Sequence, residues 1–235
     1  FPLPVVLMSD VVGAGLASLA LAAVKIPRLE QRQRGQKSAA AQFREGLQVF
    51  REDSRLFRLV LAQALCMFFY GPLSSFYPLM TSDYFNLPAL YGGAAELSFA
   101  AGMILSSLLF SSVWKVRRNI GVSYAGLFGM GFGAALCGVL PPCYGGWFVF
   151  ALAGNVHLVP LTDYLQQSVA PEKLGRAFSV LTLISSVTMP VGLLISSPIA
   201  ETAGVAVWFL LSGIAIMALA AGVFLLDSWK ERRKK

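Results

Sequence analysis

Apolar residues fall into seven long runs along this chain: Leu3–Val24, Leu59–Met80, Tyr91–Val113, Val122–Leu140, Trp147–Leu165, Ala177–Ala200 and Val205–Leu226. Each holds about 20 residues, the length at which a helix rising about 1.5 Å per residue crosses a hydrocarbon core about 30 Å thick. Each run predicts a helix, because only a helix satisfies all of its backbone hydrogen bonds internally when no water is at hand. Pro72, Pro160, Pro190 and Pro198 lie inside these runs. They predict kinks, since membrane helices tolerate proline better than soluble ones. The expected fold class is all-α: a polytopic membrane bundle of seven transmembrane helices.

The polar segments between the runs are short, with one exception, Lys25 to Arg58. Its first part, KIPRLEQRQRGQKSAAAQ, is basic and rich in Gln and Ala, the composition of a mobile linker. Its second part contains FREGLQVF, where Phe43, Leu47 and Phe50 recur at i, i+4 and i+7 with polar residues between them. That spacing predicts a short amphipathic helix. Two placements stay open, on the inner membrane surface or as an ordinary loop helix. The expected division is therefore a first transmembrane helix (1–24), a basic linker with a short helix (25–58), a six-helix bundle (59–226) and a basic tail (227–235).

Composition agrees with the pattern and excludes other classes. The chain is 56% hydrophobic and 13% charged, against about 25% charged in a soluble domain. A net charge of +7 does not point to nucleic acid, because the cations lie between apolar runs and form no basic face on a soluble fold. They instead set orientation. The segments WKVRRNIG, QQSVAPEKLGR and DSWKERRKK carry ten Lys and Arg in 28 residues, whereas the opposite connections 81–90, 141–146 and 201–204 carry none in 20. By the positive-inside rule the basic side, with the C-terminus, faces the cytoplasm. Cys66, Cys137 and Cys143 form no paired framework, and one histidine, His157, without a Cys/His cluster gives no zinc site. No metal or other cofactor is expected, and the expected partner of the surface is the lipid bilayer. The first run lacks a basic flank and a small-residue cleavage site, so it is not read as a signal peptide. With Phe1 as the first residue, upstream sequence is expected to be missing.

A faint internal repeat adds to this. GMILSS (102–107) sits in the second helix of the first three in the block, and GLLISS (192–197) in the second helix of the last three. An odd number of spans per unit gives two units of opposite topology, as in transporters built from inverted repeats. Both stretches place small residues four apart, where helices approach closely.

On these residues the chain resembles the C-terminal half of a major facilitator superfamily transporter. The resemblance is to the bacterial drug-efflux branch that includes macrolide-efflux proteins and the enterobactin exporter. The stretch YLQQSVAPEKLGRAFSVLTLISSVTMPVGLLISSPIAETAG (164–204) resembles the family's tenth-to-eleventh helix region. FREGLQVFREDSRLFRL resembles the approach to its seventh helix, AELSFAAGMILSSLL its eighth, and VVLMSDVVGAGLASLALAAVKIPR its sixth helix and exit. The resemblance implies that the seven runs are helices six to twelve, and that the partner is the missing N-terminal half of the same transporter. It also implies export of a small hydrophobic or amphipathic compound, drug-like or siderophore-like, by alternating access in a bacterial inner membrane. Protons are the expected coupling partner.

Several residues are candidates for that work. Counting from the outer edge, Asp10 lies roughly 10 Å deep and Glu96 about 7–8 Å. Intramembrane acids are costly and mark functional sites by default. The family arrangement places the eighth helix beside the central cavity, so Glu96 is the first candidate for a protonatable coupling acid, buried and with a raised pKa. Asp10 is expected to be mainly structural. His157 is a further proton-coupling candidate, weighed against a hydrogen-bonded structural histidine. Gln63, Phe68, Phe69, Tyr70, Asn155 and Met189 are candidates for the substrate cavity, the aromatics fitting a greasy, often cationic compound. Lys115, Arg117, Arg118, Asp163, Glu172 and Arg176 are candidates for a cytoplasmic gate, with simple topogenic charge as the alternative. A seven-span membrane enzyme, a receptor-like protein or a non-functional remnant are the other readings. A membrane hydrolase would need a dyad such as Ser with His or paired acids at matching depth; Asp10 and Glu96 face different partners in the family arrangement and no Gly-x-Ser-x-Gly is present, so an enzyme is not expected.

Overall fold

The structure, a computed structural model, describes residues 3–23, 39–112, 120–140 and 144–233. Every regular element among them is helical: α1 (Leu3–Ala23), α2 (Ala39–Glu52), α3 (Ser54–Leu79), a π-helical turn (Met80–Tyr84), α4 (Ala89–Ser112), α5 (Ile120–Val139), α6 (Tyr144–Ser168), α7 (Pro171–Ala203) and α8 (Val205–Arg232). The chain divides into two units, Phe1–Ser38 and Ala39–Lys235. The first holds α1, with Leu16 and Leu19 exposed. The second holds the other helices, and six of its spans are long and apolar enough to cross a membrane. Their outward faces are apolar: Leu97 is 74% and Leu194 76% exposed. A surface of that kind is stable against lipid and not against water.

Local chemistry sets the helix ends. Asp53 caps α3, its Oδ1 accepting from Arg55 N at 2.8 Å and Leu56 N at 3.3 Å, which satisfies two orphan donors of the first turn. Pro171 opens α7 at a position where its missing N–H costs nothing. Gly204, at φ +92°, ends it. At the far end of α3, Pro78 cannot continue the hydrogen-bond ladder. The π turn Met80–Tyr84 follows, and Asn86 at φ 52° then reverses the chain. Helices extend past several of the apolar runs: α7 begins six residues before Ala177, and α8 continues into the basic tail as far as Arg232.

The repeat seen in sequence is a packing symmetry. The units α3–α4–α5 and α6–α7–α8 exchange partners: α3 lies on α7, α6 lies on α4, and α5 crosses α8. Gly192 of α7 faces the Phe68 carbonyl of α3, as Gly102 of α4 faces the Phe148 carbonyl of α6. In both stretches the two serines turn back onto one carbonyl. Ser106 and Ser107 donate to Met103 O at 2.9 and 2.8 Å, and Ser196 and Ser197 donate to Leu193 O at 3.0 and 2.9 Å. At the α5–α8 crossing Gly131 and Gly213 face each other, each close to the other's carbonyl oxygen. Small residues let these backbones touch, the usual source of helix association in lipid.

The core of the second unit is continuous from Leu59 to Val223, and a smaller cluster lies at the α2 end. There α2 packs on α7: Val49 and Phe50 are buried, and Gly46 lies against Val180 and the Arg176 carbonyl. The packed face therefore centres on Gly46, Val49 and Phe50, with Leu47 at its margin. Phe43, expected on that face, is 40% exposed.

Candidate functional site

A cavity of about 140 Å³ opens between α3, α4 and α6. Met67, Phe99 and Met103 form its greasy wall. Its polar groups are few: Gln63 on α3, and Asn155 and His157 on α6. His157 is buried and uses both ring nitrogens. Nε2 lies 2.9 Å from Gln63 Oε1, and Nδ1 lies 2.9 Å from both the hydroxyl and the carbonyl oxygen of Ser123. The Ser123 hydroxyl is also 3.0 Å from the His157 carbonyl. A neutral ring meets this set with its proton on Nε2, donating to Gln63 Oε1 and accepting the Ser123 hydroxyl at Nδ1. In this form His157 ties α6 to α3 and α5 and orients the Gln63 amide beside the cavity. Asn155 reaches the other way, its Nδ2 donating to Ser106 Oγ at 2.8 Å and Met103 O at 3.2 Å on α4.

Of the expected cavity residues, Gln63, Tyr70 and Asn155 come together here, with His157 beside them. Phe68, Phe69 and Met189 do not line it. Phe69 leans on Trp208 of α8, with ring centroids 6.2 Å apart, and Phe68 meets Phe69 edge-on at 5.1 Å. Met189 of α7 sits over Gly71. The reason is helical phase: one turn of α3 presents Tyr70 to the cavity and rotates its two neighbours toward α7 and α8.

The acids are placed differently from the expectation. Glu96 is exposed, not buried; its neighbour Ala95 is the residue that α4 turns into the core. Tyr77 and Tyr70 of α3 lie within the electrostatic reach of Glu96. Asp10 belongs to α1, but its side chain lies outside the described residues, as do Lys115, Arg117, Arg118 and Cys143.

At the α2 end, Arg176 pairs with Glu45 of α2. Arg176 and Glu172 line a groove of about 520 Å³ with Phe43. Asp163 accepts from Gln167 Nε2 at 2.6 Å within α6. Two connections escaped the sequence. Tyr164 donates to Asp53 Oδ2 at 2.6 Å, joining α6 to the α3 cap. This cap carboxyl feels burial, which would raise its pKa. The hydrogen bonds from Tyr164 and from the Arg55 and Leu56 N–H groups, with the Arg55 charge, outweigh it and hold the carboxyl below the ordinary carboxylate value. The second is a buried cluster in which Asp227 of α8 takes both the Arg58 guanidinium of α3 and the Tyr124 hydroxyl of α5. Its only sequence signal was a lone acid between the last apolar run and a basic tail.

Two three-helix units of opposite topology, joined by small-residue crossings in an apolar-surfaced bundle, define a multi-pass membrane protein of transporter type. The chain belongs to the Major Facilitator Superfamily, whose family profile matches residues 4–192. It is 36% identical over 219 residues to macrolide efflux protein A of Streptococcus pyogenes, covering 90% of this chain and 54% of that protein. It is 34% identical over 192 residues to macrolide efflux protein A of Enterococcus faecalis, covering 78% and 59% respectively. With multidrug efflux pump Tap of Mycolicibacterium fortuitum it shares 23% identity over 229 residues, 94% of this chain and 56% of the pump. The chain thus spans about half the length of the curated relatives it matches. No solved structure matches it.

Proposed function

We propose that this chain is the C-terminal portion of a bacterial inner-membrane efflux transporter that moves small hydrophobic or amphipathic compounds outward by alternating access, driven by protons. One observation carries the reading: similarity to named efflux proteins runs over nine-tenths of the chain. The cavity supports it, with greasy walls and a few fixed polar groups, the usual make-up of a small-molecule site. At about 140 Å³ it holds only part of a drug-sized ligand, for which sites run to roughly 300–1,000 Å³. The rest of the site belongs to the N-terminal half of the transporter, the partner body that alternating access requires.

In this reading Gln63, Tyr70 and Asn155 touch the substrate, and His157 holds Gln63 in place. Phe68, Phe69 and Met189 act by packing α3 against α7 and α8. Glu96 is the coupling acid, taking a proton on the outside and releasing it inside, while Asp10 is structural. The Arg176–Glu45 pair, with Asp163, Glu172, Lys115, Arg117 and Arg118, belongs to the cytoplasmic side, where contacts form and break as access switches.

The test is accumulation of a radiolabelled macrolide and of a lipophilic dye in an efflux-deficient bacterial host expressing the full-length gene product. Lower accumulation, restored to control by a protonophore, is expected. Glu96→Gln should abolish energised export at normal expression, whereas Asp10→Asn should mainly lower expression. Accumulation equal to the empty host would overturn the function, and export indifferent to the protonophore would overturn the coupling.

A further inference from the structure

Helices α5 and α8 touch where Gly131 and Gly213 face each other, and helices that cross at one point splay on either side of it. On the side that leads to the basic tail the gap between them is a groove of about 290 Å³. Gly121, Ala125, Ala220 and Ala221 form its floor, and Phe128 and Phe224, each about half exposed, form its rims. Tyr124 lies at its base, its ring edge-on to Phe224 at 6.2 Å. The Tyr124 hydroxyl turns inward to Asp227, which also takes the Arg58 guanidinium. The acid next to the groove is therefore neutralised from within, and the groove itself presents mainly carbon.

The depth of the groove follows from α8. Trp229 is 52% exposed and carries the Arg233 guanidinium 4.0 Å from its ring centroid. An amphipathic ring with a snorkelling cation marks the boundary between hydrocarbon and headgroups. Phe224 precedes Trp229 by five residues and so lies about 7–8 Å deeper, at the level of acyl-chain methylenes. Toward the boundary, Phe224, Ser228 and Arg232 recur at i, i+4 and i+8, one face of α8. Arg232 is exposed and stands about 12 Å beyond Phe224. Past Asp227 the tail holds five cations and one acid. A ligand that suits both ends has an apolar chain for the groove and an anionic head for Arg232. A second copy of this chain suits them less, because a copy inserted in the same direction would bring its own basic tail against this one.

We infer that the α5–α8 groove is a binding site for an anionic phospholipid, with one acyl chain lying between Phe128 and Phe224 and the phosphate meeting Arg232 at the basic end of α8. Moving a chain from the bilayer into the groove gains nothing by the hydrophobic effect, since the surrounding tails are equally apolar. The gain comes from filling a concave surface whose lining otherwise lacks contacts. It comes also from the head, where one Lys or Arg near an anionic lipid is worth about a fivefold preference. The groove shares no lining residue with the α3–α4–α6 cavity, so the inference does not depend on what is transported.

The experiment is a lipid titration of the delipidated full-length protein in detergent, read by native mass spectrometry. Dioleoyl phosphatidylglycerol and dioleoyl phosphatidylcholine have the same chains and differ in head charge. The wild type should bind a first phosphatidylglycerol about fivefold more tightly than phosphatidylcholine. Ala221→Phe and Ala125→Phe each fill the groove and should abolish that tight step. Leu226→Phe, two residues past Phe224 and so on the opposite side of α8, should keep it. Arg232→Gln, at an exposed position, should bring phosphatidylglycerol down to the affinity of phosphatidylcholine and leave the latter unchanged. Equal wild-type affinity for the two lipids, or groove-filled variants that still bind phosphatidylglycerol tightly, would overturn the inference. So would a wild-type dimer that Ala221→Phe dissociates, because a second copy would then be the occupant of the groove.

Discussion

A side chain at Gly192 would collide with the Phe68 carbonyl, and one at Gly102 with the Phe148 carbonyl. Neither neighbour is a flexible side-chain end that can swing away, so α7 would have to part from α3, or α4 from α6. Gly192→Ala should therefore destabilise the bundle by about 1–3 kcal/mol, the usual cost of overpacking. That outweighs the gain of up to about 1 kcal/mol that alanine brings to a helix interior. Gly222 on α8 has open space around it, so Gly222→Ala should be neutral or slightly stabilising. Thermal unfolding of the three proteins in detergent gives the order. A Gly192→Ala protein that melts at or above the wild type would mean that these backbones do not meet. The small-residue stretches were visible as a six-residue similarity, and their serines land in equivalent bonds. The aromatic assignments were half legible for a different reason. Period tells which residues share a helix face, but not which neighbour covers that face, so Tyr70 was placed and Phe68 and Phe69 were not.

At the scale of elements, the joints are polar and lie at the helix ends. The Asp53 carboxylate caps α3 and takes the Tyr164 hydroxyl of α6. Asp53→Ala should cost about 1 kcal/mol, the typical worth of an N-cap. Because the native carboxyl titrates below its ordinary value, its contribution is fully present above the unfolded pKa near 3.9. It is lost as pH falls through the lower native value. The melting gap between wild type and Asp53→Ala should thus be constant above about pH 5 and shrink toward pH 3. A gap that widens on acidification would show that the cap binds as the protonated acid. The Arg58–Asp227–Tyr124 cluster joins α3, α8 and α5 at the same end. Asp227→Ala should strand a largely buried guanidinium and cost about 3 kcal/mol, whereas Arg58→Met with Asp227→Leu should recover much of the loss. A double variant as unstable as the single would mean that the pair itself, not its imbalance, holds the helices. Neither joint was readable from sequence. The partners are 169 and 111 positions apart, and charges beside a membrane span carry a topogenic explanation that hides any specific pairing. The helices themselves were legible because a bilayer demands about 20 apolar residues per crossing. Their true ends were not, since capping and polar extensions lie beyond the apolar run.

For the whole molecule, the exchange of partners between α3–α4–α5 and α6–α7–α8 fixes the relative direction of every span in the second unit, but not which side of the membrane is inside. The charge of the connections distinguishes the two sides. The connections expected on one side carry ten cations in 28 residues, and those on the other carry none in 20. A translocating loop that carries Lys or Arg is disfavoured, so the cation-free loops are expected to face outward. Two cysteines make the assignment testable without altering the protein. Cys143 lies in the 141–146 connection, expected outside, whereas Cys66 is buried in the middle of α3. In intact cells expressing the full-length product, a membrane-impermeant maleimide should label Cys143. Cys143→Ser should remove that signal, and Cys66→Ser should leave it in place. Permeabilisation should add little at these two positions, since Cys66 is shielded by packing and not by the bilayer alone. Labelling of Cys143 that appears only after permeabilisation would invert the protein. Glu96 would then open toward the cytoplasm, and the direction assigned to the proton would reverse with it.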